Sequence, residues 1–145
     1  MPPLSTSSGR SSAPPVVDSG DKAAAANRGR AAEKLAARWL EQQGLVLVEC
    51  NYQGPQGEID LVMREAQCWV FVEVRYRASS RFGGAAGSLS RAKLDRVAAT
   101  ALHYLQRQRG QPLAARIDAL LIEGPALEQG NNQIQWLKGV TQNHF

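Results

Sequence analysis

Three acidic residues stand inside apolar runs: Glu58 and Asp60 in Gly57-Glu58-Ile59-Asp60-Leu61, and Glu73 in Phe71-Val72-Glu73-Val74-Arg75. Charged side chains rarely enter such runs unless they are paired or hold a metal. The runs read as a hairpin of Ile59 to Met63 and Cys68 to Val74, joined by Arg64-Glu65-Ala66-Gln67. A turn centred on Ala66-Gln67 sets Arg64 opposite Trp69 and Asp60 opposite Glu73, with the Cβ atoms of each pair about 5 Å apart on one face. An odd register shift would send Glu73 to the other face. Two carboxylates that close repel, and a hard divalent cation such as Mg²⁺ or Mn²⁺ relieves the repulsion. Arg75 follows Glu73 on the same face. Such a patch meets the needs of phosphodiester hydrolysis: a metal to polarise the phosphate and activate water, and a fixed cation to stabilise the transition state. The same spacing also fits a cross-strand salt bridge on an exposed sheet face, with Arg75 or Arg77 as partner.

The elements that must position these residues are legible in outline. A helix is expected from about Asn27, or a turn earlier, to Gln43, with Ala32, Leu35, Ala36, Trp39 and Leu40 on one side and Gly44 as its stop. Leu45 to Cys50 is an apolar run of strand length, and Asn51 to Gly57 reads as a turn or loop. After the hairpin, a loop with Gly83, Gly84 and Gly87 leads to Ser90, a suitable N-cap. Leu94, Val97, Ala98, Ala101, Leu102 and Leu105 then mark the apolar stripe of a second helix, ended by Gly110 and Pro112. Ile117 to Ile122 and Ile134 to Leu137 read as strands. The order αβββαββ implies an α/β fold, a central mixed sheet of about five strands flanked by helices.

Composition narrows the class. Residues 1–25, rich in Ser, Pro, Ala and Gly, are expected to be a disordered tail, leaving one domain over 26–145. The net charge is +4 and the pI about 9.4. From Arg75 to Arg116 there are nine Lys or Arg residues and a single acid, Asp95. A basic block beside an acidic cluster suits a protein that grips a polyanion, though a solvated basic face would look the same. Cys50 and Cys68 have no metal-type spacing and read as buried free thiols in a reducing compartment. His103 and His144 are too few for a histidine-rich centre. With no apolar run long enough for a bilayer and no secretory h-region, a cytoplasmic protein without membrane contact is the expectation.

Several motifs in order carry a family resemblance. They are Gly29-x-x-Ala32-Glu33-x-x-Ala36, Gly44, Asn51-Tyr52, the two acidic strings continuing through Tyr76-Arg77, then Phe82-Gly83, Lys93 and Arg116-Ile117-Asp118. Together, over roughly Arg28 to Phe145, they resemble the YraN-like family of bacterial proteins. The resemblance implies a restriction-endonuclease-like fold related to archaeal Holliday-junction resolvases, whose signature is Asp, a spacer, Asp or Glu, any residue, then Lys. On that pattern Asp60 and Glu73 match metal ligands, and Val74 offers its backbone carbonyl. Glu33 matches an acid aimed at the hydrolytic water, although Ala36, Ala37 and Leu40 share its side of the helix. Arg75 stands at the lysine position. Arginine stays protonated and cannot serve as a base, but it can hold a phosphate oxygen. Lys93 could supply an ammonium group or simply snorkel at the surface, and Glu58 shares the face of Asp60. Arg77, Arg81, Arg91 and Arg96 are the expected nucleic-acid contacts with Lys93, and Tyr76 is expected to pack on the opposite face.

These readings imply a Mg²⁺- or Mn²⁺-dependent endonuclease acting on DNA, branched or otherwise structured DNA included. Two alternatives stay open: a nucleic-acid-binding protein of nuclease fold without efficient cleavage, and a protein-interaction module. The resolvase resemblance further implies a homodimer, because a junction is two-fold symmetric.

Overall fold

The structure, a computed structural model, describes residues 14–110, 114–125, 127 and 130–141. The chain divides into two compact units, Met1–Arg30 and Ala31–Phe145. The first helix, α1, spans Pro14–Gln42, so it starts well ahead of Asn27 and includes residues 14–25 of the expected tail; residues 1–13 lie outside the described set. Proline is tolerated in a first turn, where its missing N–H has no partner to lose. Ala23 to Ala26 are strong helix formers. Because Lys22 to Ala31 are exposed, propensity rather than burial accounts for this early start, and apolar spacing could not reveal it.

In the second unit the elements follow as β1 (Val46–Gly54), β2 (Gly57–Glu65), β3 (Cys68–Arg77), a 3₁₀ turn (Arg81–Gly83), α2 (Gly84–Gly87), α3 (Arg91–Arg107), β4 (Ala114–Glu123) and β5 (Gln133–Leu137). One mixed sheet runs β1-β2-β3-β4-β5. All neighbours are antiparallel except β3 and β4, which are parallel and joined through α3. This is the expected αβββαββ order of a restriction-endonuclease-like fold.

Each sheet face has its own core. Ala32, Ala36, Ala37 and Leu40 of α1 pack with Leu61, Met63, Val70, Val72, Val74, Leu120 and Ile122. Val97, Ala98, Ala101 and Tyr104 of α3 pack with Val62, Trp69, Phe71 and Ile117. Burial on both faces explains why β3 is almost continuously apolar. The α3 stripe is rotated from the expected one: Tyr104 is buried, while Leu102 is 43% exposed. The Tyr104 ring makes edge contacts with Tyr52, Trp69 and Phe71 at centroid distances of 4.9, 5.3 and 5.7 Å, and that aromatic set turns the helix toward it.

Two further expectations are corrected. Asn51 to Gly54 continue β1, and the loop expected over Asn51 to Gly57 shrinks to Pro55-Gln56, with Gly54 paired to Gly57. Cys50 and Cys68 are free but not buried; Cys50 is exposed and Cys68 half-buried. Cys50 lies on β1, an edge strand with mostly exposed side chains, so apolar neighbours in sequence did not mean burial.

A buried acid outside the hairpin ties β4 to β5. Asp118 is fully buried and accepts from Arg116 Nε at 3.0 Å, Trp136 Nε1 at 2.9 Å and the Gly139 N–H at 2.9 Å. Arg116 Nη1 also reaches Glu65 Oε1 at 2.9 Å, linking β2 to this lock. Asp118→Ala would leave the Trp136 indole N–H and the Gly139 N–H without their acceptor and Arg116 with Glu65 alone, a loss of about 3 kcal/mol. Thermal denaturation should show a fall in Tm of about 10 °C or more. A change of only a degree or two would remove the lock from the account of stability.

Candidate active site

The hairpin register is the expected one. Arg64 pairs with Trp69 and Leu61 with Val72, which places Asp60 opposite Glu73 on one face. The paired ladder stops at Leu61–Val72, and beyond it the Val74 N–H donates to Asp60 Oδ2 at 2.8 Å. The N–H and C=O of one strand residue face the same neighbour, so the Val74 carbonyl also faces the gap beside Asp60. Asp60 is half-buried and Glu73 only 2% exposed, and the Glu73 charge acts on the Asp60 carboxyl.

Two cations meet Glu73. Arg75 Nη1 lies 3.3 Å and Lys93 Nζ 3.7 Å from its Oε2. Arg75 is itself held by Ser88, whose Oγ accepts from Nε at 2.9 Å. Ser90 caps α3 by accepting the Lys93 N–H at 3.1 Å, which sets Lys93 in the first turn of the helix. Lys93 therefore reaches the site rather than simply snorkelling.

A second acidic group adjoins the pair. One carboxylate oxygen each from Glu33, Glu58 and Asp60 lie within 4.8 Å of one another. Asn51 Nδ2 donates to Glu33 Oε1 at 2.9 Å and Glu58 Oε2 at 2.8 Å. Asn51 sits opposite Asp60, between the pairs Cys50–Leu61 and Tyr52–Ile59, with a left-handed φ of 52° that asparagine tolerates better than most residues. Sequence reasoning placed Asn51 in a loop and missed its role. Ser88 carried no signal either, since nothing in a glycine-rich loop marks one hydroxyl as an arginine support.

Electrostatics sharpen the arrangement. Burial, aided by the charges of Glu73 and Glu58, pushes the Asp60 carboxyl up to about 7, against the Val74 N–H and Lys93. Burial raises Glu73 as well, against Lys93 and Arg75. Glu33 is raised by burial and by Asp60 and Glu58, while the Asn51 hydrogen bond opposes the rise. The donor set is thus all oxygen, crowded and short of positive charge, which fits a hard divalent cation.

The remaining basic residues separate. Arg77 and Arg81 border a cleft of about 470 Å³ with Phe82 and Ser88. Arg91 instead pairs with Asp95 at 3.5 Å, both side chains largely exposed. Arg96 is exposed and lies over Gly57 at the start of β2. The Tyr76 hydroxyl donates to the Gly124 carbonyl and its ring packs against the α1-side core, as expected of the opposite face. Among the described residues no helix is long and apolar enough to cross a membrane.

Asp60 generates a pH dependence whose sign is fixed. Its folded value, about 7, lies above its ordinary 3.8, so the folded state favours the protonated form. That contribution is full below pH 3.8 and is lost as pH rises through about 7. Without divalent ions, stability should fall between pH 5 and pH 8 by an amount on the order of a few kcal/mol. Asp60→Asn should flatten that fall, and millimolar Mg²⁺ or Mn²⁺ should restore the wild-type Tm at pH 8. Parallel pH profiles for wild type and Asp60→Asn would remove Asp60 as the source.

Comparison with known proteins agrees with the motif reading. The model of the uncharacterised protein family UPF0102 matches residues 32–122. A UPF0102 protein of Nitrosomonas europaea is 49% identical over 114 residues, covering 79% of this chain and 92% of the relative. One from Shewanella oneidensis is 49% identical over 109 residues, 75% and 94% of the two chains. A third, from Shewanella frigidimarina, is 43% identical over 113 residues, 78% and 97%. The matched region runs from the first buried turn of α1 to the end of β4 and contains every acid of the site, so this chain belongs to the UPF0102 family.

Proposed function

We propose that this protein is a divalent-metal-dependent endonuclease that hydrolyses phosphodiester bonds in DNA. One observation carries the reading. Glu33, Glu58 and Asp60 converge at the open end of the β2–β3 ladder, and among the described residues no Lys or Arg lies within ion-pair distance of the three. A salt-bridge patch would match cations to acids, whereas here the nearby cations meet Glu73 instead. Asp60, Glu73 and the Val74 carbonyl would hold Mg²⁺ or Mn²⁺, with Glu33 and Glu58 close enough to contribute. When bound, the ion supplies Lewis acidity to the phosphate and lowers the pKa of water.

The chain's own groups divide the remaining work. Arg75, held by Ser88 and Glu73, is a fixed cation for charge developing on the phosphate. It cannot take a proton. Lys93 brings an amine to the same acid from α3, where the lysine of related nucleases would come from the strand. Glu33 Oε1 accepts from Asn51, leaving Oε2 to receive a proton from water. A homodimer and a cytoplasmic location go with this reading, the former because a branched substrate needs two cuts. The second reading, DNA binding without efficient cleavage, draws on Arg75 at the lysine position.

Labelled duplex, single-stranded and four-way-junction DNA, each with Mg²⁺ or Mn²⁺, provide the test. Asp60→Asn and Glu73→Gln should each slow cleavage about a hundred-fold or more. Cleavage unchanged in both variants would defeat the site. Steeply salt-dependent binding without cleavage would favour the second reading.

A further inference from the structure

Phe82 is 97% exposed, and its backbone is left-handed, with φ 55° and ψ 36°. Such a conformation costs a non-glycine residue on the order of 1–3 kcal/mol and persists only where its surroundings enforce it. The surroundings here do so. Gly83 and Gly84 continue the positive-φ run at 87° and 61°. A side chain on Gly84 would collide with the Glu123 carboxylate, which accepts the Ala85 N–H at 2.8 Å. A Cβ on Gly87 would come within 2.9 Å of the Phe82 carbonyl oxygen. Glycines thus let the loop close on Glu123, and the backbone that carries the phenyl ring is held while the ring itself faces solvent.

The ring shares its cleft with Arg77, Arg81 and Ser88, and the Arg81 guanidinium carbon lies 5.9 Å from the ring centroid. Ser88 in turn holds Arg75, which reaches Glu73. The cleft therefore begins one side chain away from the buried acids. A flat apolar face flanked by guanidinium groups suits a nucleobase stacked on the ring, with its phosphates on the arginines. In continuous duplex the neighbouring bases cover both faces of each base, so only an unpaired or extruded base can take that place.

We infer that Phe82 is the stacking platform for a nucleobase beside the scissile phosphate. The site then takes single-stranded or branched DNA in preference to continuous duplex. This rests on the nuclease reading above and adds the residue that would hold an unpaired base.

Binding of a labelled single strand, a four-way junction and a blunt duplex, followed by fluorescence anisotropy without divalent ions, tests it on the full chain. Phe82→Asn removes the ring and tolerates the left-handed backbone. It should weaken single-strand and junction binding about ten-fold while leaving duplex binding within about two-fold. Phe82→Tyr should bind all three as wild type does. Wild-type binding of every DNA by Phe82→Asn would overturn the inference while leaving the nuclease reading to the Asp60 and Glu73 variants. An equal loss on all three would also overturn it, since the ring would then serve the groove in general. If wild type binds none of them at low salt, the nuclease reading falls with it.

Discussion

Asp60 and Glu73 share one end of a strand pair where water cannot fully solvate both charges, and much of the site answers to that constraint. Ionising both acids in such a place is unfavourable unless positive charge arrives from outside the pair. The protein meets the need unevenly. Glu73 receives Arg75 and Lys93, while Asp60 accepts the Val74 N–H. The imbalance deepens where Glu33 and Glu58 join Asp60. Burial and the neighbouring acids together favour the protonated form of Asp60.

The fold makes that arrangement affordable by building rigid walls around it. β3 is buried on both faces, and Glu73 is only 2% exposed within it. α1 brings Glu33 in on a helix anchored by Ala32, Ala36 and Leu40. α3 brings Lys93 in on a helix anchored by Val97, Ala101 and Tyr104. The loop between β3 and α3 adds Ser88 behind Arg75 and places Phe82 and Arg81 at the mouth of the same region. Contributions from two helices, three strands and a loop therefore meet at one end of the sheet. Asp118, in register with Val72, does comparable structural work between β4 and β5, where all its partners are donors and its charge is satisfied.

Arg75 illustrates how position can matter more than residue type. On β3 its guanidinium is committed to Ser88 and Glu73. Lys93, distant in sequence, brings an amine to the same carboxylate. Strand spacing alone would not suggest that two cations, one on β3 and one on α3, meet a single carboxylate.

The sequence by itself determined the order of elements, the hairpin register and the facing of Asp60 and Glu73. These depend on local rules: period-two alternation, a two-residue turn at Ala66-Gln67, and a capping serine before an amphipathic stripe. It was least informative where distant contacts or weak local preferences decide the outcome. Exposure of Cys50 follows from β1 lying at the sheet edge, and the rotation of α3 follows from Tyr104 meeting three aromatic rings. The early start of α1 reflects alanine propensity without an apolar stripe. Only the tertiary structure brought Asn51, Glu33 and Glu58 together and turned Ser88 toward Arg75, because those contacts join segments whose separation in sequence carries no periodic trace.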